Sequence, residues 1–114
     1  MQPLALARAI VEALEDKKGE DILLLDLQAL VRVSDYFVIC SGSSDRTIHG
    51  LMDAVVEDML AKHNLKPRLE GSPDEGWLLA DFGPVVVHVF SDDQRDYYRL
   101  EDVWSEAKVL LHVQ

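Results

Sequence analysis

The sequence contains one cysteine, four prolines and no apolar stretch long enough to cross a membrane. A membrane-spanning helix needs about 18 or more consecutive apolar residues, and charged side chains interrupt every apolar stretch before that length. The N-terminus has neither the basic start nor the continuous apolar segment of a signal peptide. We therefore expect a soluble protein that does not associate with membranes.

The lone cysteine and the histidines give little support to metal or redox chemistry. Cys40 lies within the apolar run at residues 36–40 (YFVIC), which predicts a small buried hydrophobe rather than a nucleophile or a disulfide partner. No spacing suited to zinc is found among the four histidines, which are His49, His63, His88 and His112. The sequence therefore predicts neither a metal site nor a cofactor.

Basic residues are scarce. Eleven Lys and Arg stand against 21 Asp and Glu, which gives a formal net charge of -10. A chain of this charge is repelled by phosphate backbones, so we expect little or no direct binding to nucleic acid. A basic protein surface would instead be attracted, and its rate of association would be raised.

The length and the apolar pattern predict one α/β domain over residues 1–114. With 114 residues and 48% hydrophobic content, the chain can build a single core. Helical spacing predicts a helix from Pro3 that ends at Lys17-Lys18-Gly19, and a second helix that follows the turn at residues 41–44 and ends at Asn64. The remaining predicted elements are strands at 21–27 and 35–41, a loop at 65–75 with a short extended segment, a hairpin at 77–90 and one or two short helices at 95–107. This order indicates a mixed sheet with flanking helices.

Both strands of the hairpin are apolar enough to need cover on both faces. A tight turn at Phe82-Gly83 would set Ala80 opposite Val85 and Trp77 opposite His88. Side chains alternate along a strand, so one face is predicted to carry Leu78, Ala80, Val85, Val87 and Val89. The other face is predicted to carry Trp77, Leu79, Asp81, Val86, His88 and Phe90. Aromatic rings mixed with an acid and an imidazole are typical of a recognition surface.

No motif in the sequence indicates a catalytic centre. Residues 81–83 spell the kinase metal-binding triplet DFG, but the other kinase motifs are absent. The turn at residues 41–44 (SGSS) lies between a strand and a helix, where backbone N–H groups could bind phosphate, but it has no P-loop lysine, and a helix N-cap explains it better. Nucleotidyltransferases follow such a turn with paired acids on a strand; here Asp53 lies on the predicted helix and has no Asp-x-Asp strand partner.

Several ordered motifs resemble those of one family. They are residues 34–39 (SDYFVI), 41–44 (SGSS), Glu70-Gly71, 76–83 (GWLLADFG) and 87–90 (VHVF), followed by Arg95, Tyr98, Leu100-Glu101 and Trp104. In this order they resemble the Iojap or ribosomal silencing factor family, and the match extends over nearly the whole chain. Two positions depart from the pattern: Phe82 stands where many members carry Tyr, and Pro84 stands where others have an acidic or polar residue.

The resemblance implies a nucleotidyltransferase-like α/β fold without catalytic acids, and a factor that is not an enzyme. It implies a protein that binds the large ribosomal subunit through its L-fourteen protein and prevents the small subunit from joining when nutrients run short. The family has organellar members, but the sequence shows no presequence, so we expect a bacterial cytoplasmic protein. We expect Trp77, Leu79, Val86 and Phe90 to supply the desolvated contact, Asp81 to pair with an Arg or Lys of the partner, and His88 to form a hydrogen bond. Phe82 and Tyr98 complete the expected set.

Two alternatives remain open from the sequence. One is a small nucleotidyltransferase or phosphate-binding protein that uses the turn at residues 41–44. The other is a self-associating module, in which the exposed face of the hairpin forms a homodimer when the protein is free.

Overall fold

The computed structural model describes residues 2–29, 34–99 and 106–114. Its elements in chain order are α1 (Pro3–Asp16), β1 (Glu20–Asp26), β2 (Tyr36–Gly42), α2 (Asp45–His63), β3 (Arg68–Ser72), a 3-10 turn (Pro73–Glu75), β4 (Trp77–Asp81), β5 (Val85–Ser91), α3 (Asp92–Tyr98) and β6 (Lys108–Val113). The strands form one sheet in the order β3-β4-β5-β2-β1-β6, in which β2 and β5 are parallel and the other neighbours are antiparallel. The predicted mixed α/β fold with flanking helices is confirmed.

Helices α1 and α2 cover one face of the sheet, which we call the helix face. Both helices carry an apolar stripe at helical spacing, which includes Leu6, Ile10 and Leu14 in α1 and Ile48, Leu51 and Val55 in α2. These side chains pack with inward residues of the central strands in the main hydrophobic core. The opposite face of the sheet, which we call the outer face, has a second and smaller cluster formed by Leu23, Leu25, Leu27, Ile39 and Phe90.

The end of α1 differs from the prediction in one detail. The Lys18 N–H donates to the Glu15 carbonyl and the Gly19 N–H donates to the Leu14 carbonyl, which is the hydrogen-bond pattern of a Schellman motif. The left-handed position of this motif is filled by Lys18, with φ of 60°, and not by Gly19. Gly19 has another role, because a Cβ there would lie 2.5 Å from the sulfur of Cys40.

Both ends of α2 agree with the prediction. The Ser44 hydroxyl accepts a hydrogen bond from the Thr47 N–H at 3.1 Å, so Ser44, in the turn predicted at residues 41–44, is the N-cap of this helix. Asn64 ends the helix in the left-handed conformation, and its N–H donates to the Leu60 carbonyl.

The hairpin has the predicted faces but not the predicted register. Trp77 lies opposite Phe90 and Ala80 opposite Val87, a shift of two residues from the expected pairing. The tight turn predicted at Phe82-Gly83 would need an N–H at Pro84 to close it, and proline has none. The loop is instead closed by a hydrogen bond from the Phe82 N–H to the Val85 carbonyl. A shift of two leaves every side chain on its predicted face.

The C-terminal part of the chain is the least well predicted. Helix α3 begins at Asp92 rather than at Arg95, capped by the Ser91 hydroxyl and with two acids in its first turn, where the helix dipole favours them. Strand β6 was not predicted at all. The predicted helical positions of Val103 and Trp104 lie outside the described residues. Within the described ranges, no helix is long and apolar enough to cross a bilayer.

Candidate functional site

Six of the eight predicted contact residues lie together on the outer face. Strands β4 and β5 pair so that Trp77 faces Phe90, Leu79 faces His88 and Asp81 faces Val86. Residues directly opposite each other in an antiparallel pair share a face and lie within contact distance. The alternation seen in the sequence therefore assembles one continuous surface from two strands.

Burial divides this surface into two rows. The β5 row is buried in the free protein, since Val86, His88 and Phe90 are 8%, 6% and 3% exposed. The β4 row, which is Trp77, Leu79 and Asp81, is only half-buried. The accessible part of this surface is therefore the β4 row, and the β5 row supports it from behind. We call Trp77, Leu79 and Asp81 the β4 row from here on.

Aromatic rings form the support beneath Trp77. The rings of Trp77 and Phe90 are nearly parallel with centroids 6.5 Å apart, and the rings of His88 and Phe90 are parallel at 6.0 Å. Phe37 of β2 meets His88 edge to face at 4.8 Å. These distances are within the range of favourable aromatic contacts. Trp77 is therefore held on a rigid base.

His88 is fixed in one protonation state by burial and by its neighbour. The indole Nε1 of Trp77 donates to Nδ1 of His88 at 3.3 Å, so the neutral ring carries its proton on Nε2. Burial lowers the pKa of His88 from 6.5 to about 4, so the ring is neutral at pH 7. Among the described residues, none accepts a hydrogen bond from the buried Nε2. A buried donor without a partner is costly and is uncommon in native proteins.

A glycine on the edge strand places Trp77. Gly71 of β3 has φ of 87°, and a Cβ at this position would lie 2.3 Å from the carbonyl oxygen of Trp77. A side chain would therefore collide with the backbone of β4 and push the two strands apart. The Glu70-Gly71 motif of the sequence thus has a structural purpose, which is the close approach of β3 to β4 beside Trp77.

Asp81 is bound within the chain on both of its oxygens. Oδ1 accepts a hydrogen bond from the Gly83 N–H at 2.7 Å, which fixes the start of the hairpin loop. Oδ2 lies 3.7 Å from Nη2 of Arg68, the residue directly opposite on β3. The side chain of Asp81 is 31% exposed and that of Arg68 is 79% exposed. The carboxylate expected to meet a partner's cation therefore already has one within the protein.

One predicted contact residue is not brought to this surface, and for another the structure gives no side-chain position. Phe82 packs against the main core on the helix side. Tyr98 is the last residue of α3, and its side chain lies outside the described part of the structure.

The sequence analysis missed a polar network that anchors α3. Arg95 is 5% exposed, donates to the Ser41 hydroxyl at 2.9 Å and lies 3.6 Å from a carboxylate oxygen of Asp21. The other oxygen of Asp21 contacts Nε2 of His112 on β6. One carboxylate thus joins α3 to β6, and Asp21 itself has a left-handed φ of 51°. Nothing in the sequence pattern links residues so far apart along the chain.

The remaining candidates for chemistry have structural roles. Burial raises the pKa of the Cys40 thiol to about 12, so it is the inert buried group that the sequence predicts. Over the described ranges, no group of three or more His, Cys, Asp or Glu side chains could hold a metal ion.

The fold and the site define a small mixed α/β protein with a half-exposed, aromatic-backed surface near one edge of its sheet. Residues 1–114 match the family described as "Ribosomal silencing factor during starvation". The protein belongs to this ribosomal silencing factor family, which confirms the resemblance seen in the sequence.

Relatives and a solved structure agree with this assignment. The chain is 37% identical over 108 residues to the ribosomal silencing factor RsfS of Bacillus subtilis, covering 94% of this chain and 91% of that protein. It is 35% identical over 102 residues to RsfS of Halalkalibacterium halodurans, covering 90% and 87%. A crystal structure of a protein from Chromobacterium violaceum superposes with a TM-score of 0.86 at 34% identity, covering 92% of this chain and 88% of that one.

Proposed function

We propose that this protein is a ribosomal silencing factor that binds the large ribosomal subunit through its L-fourteen protein and keeps the small subunit from joining. It would act in the bacterial cytoplasm and repress translation when nutrients are limiting. Membership of the family supports the ribosome as the target. The structure contributes a candidate contact surface, the β4 row.

The observation that carries the proposal is the half-exposed Trp77 on a buried aromatic base. Residues that dominate binding energy are typically aromatic, well packed from behind and able to lose their remaining water to a partner. Trp77 meets these conditions, because His88 and Phe90 fix its orientation before any partner arrives. Little side-chain entropy is then lost on binding.

The surroundings of Trp77 and Leu79 suit a protein partner. On β3, Glu70 lies opposite Leu79 and Ser72 lies opposite Trp77, so polar side chains border the apolar pair. An apolar centre with a polar border is the usual organisation of a protein interface. The net charge of -10 favours a basic partner, and many ribosomal protein surfaces are basic because they meet RNA.

The proposed mechanism is occupancy and involves no bond making. The molecule measures 33 × 33 × 24 Å along its principal axes. A rigid body of this thickness on the surface that the small subunit approaches would hold the two subunits well beyond contact distance. The protein would need to bind tightly and in a fixed orientation. The β4 row would supply both the binding energy and the orientation.

Co-sedimentation with isolated ribosomal subunits tests the proposal. We expect the purified protein to pellet with large subunits and not with small subunits. Trp77→Ala should lose about 2 kcal/mol or more of binding free energy, which is about a thirtyfold rise in Kd, because the substitution removes the central aromatic contact. Leu79→Ala should weaken binding less.

A matched control separates the contact surface from general loss of apolar area. Leu69 is a large apolar residue on β3, 54% exposed, and it lies opposite Ala80, whose side chain points to the helix face. Leu69→Ala should leave binding unchanged. Thermal unfolding of each variant verifies that it is folded. Equal loss of binding in Leu69→Ala and Trp77→Ala, or binding of the wild type to neither subunit, would refute the proposal.

A further inference from the structure

The pairing between Arg68 and Asp81 bears on how this surface selects a partner. Asp81 is the acidic member of the β4 row, and it is the residue through which that row could bind a cation. One of its oxygens is committed to the Gly83 N–H, and the other faces the guanidinium of Arg68 at 3.7 Å. A cation of a partner must therefore share or replace the contact made by Arg68.

Arg68 is well suited to be displaced. Its side chain is 79% exposed and approaches Asp81 through one nitrogen at 3.7 Å, without the two parallel hydrogen bonds of a strong arginine–carboxylate pair. Exposed ion pairs of this kind contribute little to stability. The contact is thus strong enough to compete with a weak cationic ligand and weak enough to yield to a well-placed one.

We propose that Arg68 is an internal competitor for Asp81, and that it lowers the affinity of the β4 row for cationic protein surfaces in general. A partner gains from Asp81 only if it places a cation where it can displace Arg68. Arg68 is then a specificity-determining residue of the site. This inference rests on the proposed function, because it concerns binding at the same surface.

The test is the affinity of Arg68→Gln for isolated large ribosomal subunits. Removing Arg68 frees Asp81, and we expect binding to tighten by about twofold to fivefold, the range that corresponds to the strength of an exposed ion pair. The substitution also makes the protein more acidic overall. Lys66→Gln removes the same charge from the exposed segment just before β3 and measures that general effect. Arg68→Gln should exceed Lys66→Gln.

A second pair of variants tests whether the gain acts through Asp81. Asp81→Asn removes the charge but retains an Oδ1 that can accept from the Gly83 N–H, so the loop is preserved. In the Asp81→Asn background, Arg68→Gln and Lys66→Gln should have equal effects on affinity. A gain by Arg68→Gln that persists in this background would overturn the inference.

The outcomes distinguish this inference from the proposed function. Wild-type protein that binds large subunits, together with an Arg68→Gln variant that binds no better than Lys66→Gln or binds more weakly, would overturn the inference alone. The weaker case would mean that Arg68 itself contacts the partner. Wild-type protein that fails to bind large subunits would overturn the proposed function and this inference with it.

Discussion

At the scale of single residues, the burial of His88 links its ionisation to folding. It is 6% exposed, its Nδ1 accepts from Trp77, and burial lowers its pKa to about 4. In the unfolded chain the pKa returns to about 6.5. Between these two pH values the unfolded state binds more protons than the folded state, so stability falls as the pH falls.

We predict that the protein loses stability between about pH 6.5 and about pH 4 through this histidine. The loss contributed by His88 should reach about 3 kcal/mol at the acidic end, since each pH unit in the window contributes about 1.4 kcal/mol. Urea unfolding at a series of pH values measures it. His88→Asn keeps an acceptor for the Trp77 indole but does not titrate, so its stability should vary less with pH in this window.

His49→Asn is the matched control for that experiment. His49 lies on α2, away from the outer face, and 64% of its side chain is exposed. The substitution therefore removes an exposed imidazole instead of a buried one. The pH dependence should change less in His49→Asn than in His88→Asn. If the free energy of unfolding of His88→Asn falls with pH as steeply as that of the wild type, other groups account for the acid sensitivity.

The residues of the site were predicted better than their exposure. Alternation along two strands placed Trp77, Leu79 and Asp81 on the same face as Val86, His88 and Phe90, because the period of a strand is two. The sequence could not show that Val86, His88 and Phe90 are buried. The residues that pack against them come from β2 and from other distant parts of the chain. Nor could it show that Asp81 faces Arg68, a partner on a strand that was predicted only as a short extended segment.

At the scale of elements, the end of α1 contains a strained backbone conformation that a substitution could relieve. Lys18 occupies the left-handed position of the Schellman motif with φ of 60°. A residue with a Cβ is disfavoured there, and glycine is the usual occupant. Exchanging Lys18 and Gly19 would not relieve the strain, because a side chain at position 19 would collide with Cys40.

We predict that Lys18→Gly stabilises the protein by about 0.5–1 kcal/mol, because relief of the left-handed strain outweighs the added freedom of the unfolded chain. The free energy of unfolding in urea measures the effect. Lys17→Gly is the control. Lys17 has φ of -96°, which suits any residue, so glycine there should destabilise. Destabilisation by Lys18→Gly would contradict this account of the helix end.

Elements with strong periodicity were predicted, and those defined by distant pairing were not. The stripes of α1 and α2 and the caps at Ser44 and Asn64 are local signals, so the sequence reveals them. The predicted hairpin register was wrong because Pro84 has no N–H to close the tight turn at Phe82-Gly83. Strand β6 has the sequence KVLLHV, and its position at the edge beside β1 depends on residues about 80 to 90 positions earlier. Local patterns do not record such a contact.

At the scale of the whole molecule, the net charge of -10 is the property most relevant to a basic partner. Charges of opposite sign raise the rate of encounter, and dissolved salt screens them over distances beyond about 10 Å. The half-buried contacts of Trp77 and Leu79 depend far less on salt. Association and dissociation should therefore respond differently to ionic strength.

We predict that the association rate with large subunits falls by about tenfold or more as salt is raised from about 20 mM to about 300 mM. The dissociation rate should change much less, because it depends on the desolvated apolar contact. Rapid-mixing fluorescence on labelled protein measures both rates. An association rate that does not depend on salt would show that charge plays no part in recognition.

The most direct test of the central claim is a subunit-joining measurement. Large subunits are first saturated with the protein, small subunits are then added at a magnesium concentration that supports joining, and the fraction of joined ribosomes is followed by light scattering and sucrose-gradient sedimentation. We predict that joining falls in proportion to occupancy of the large subunit, and that Trp77→Ala at the same concentration leaves joining intact. Joined ribosomes that still carry the bound protein would contradict the claim that it acts by occupying the joining surface.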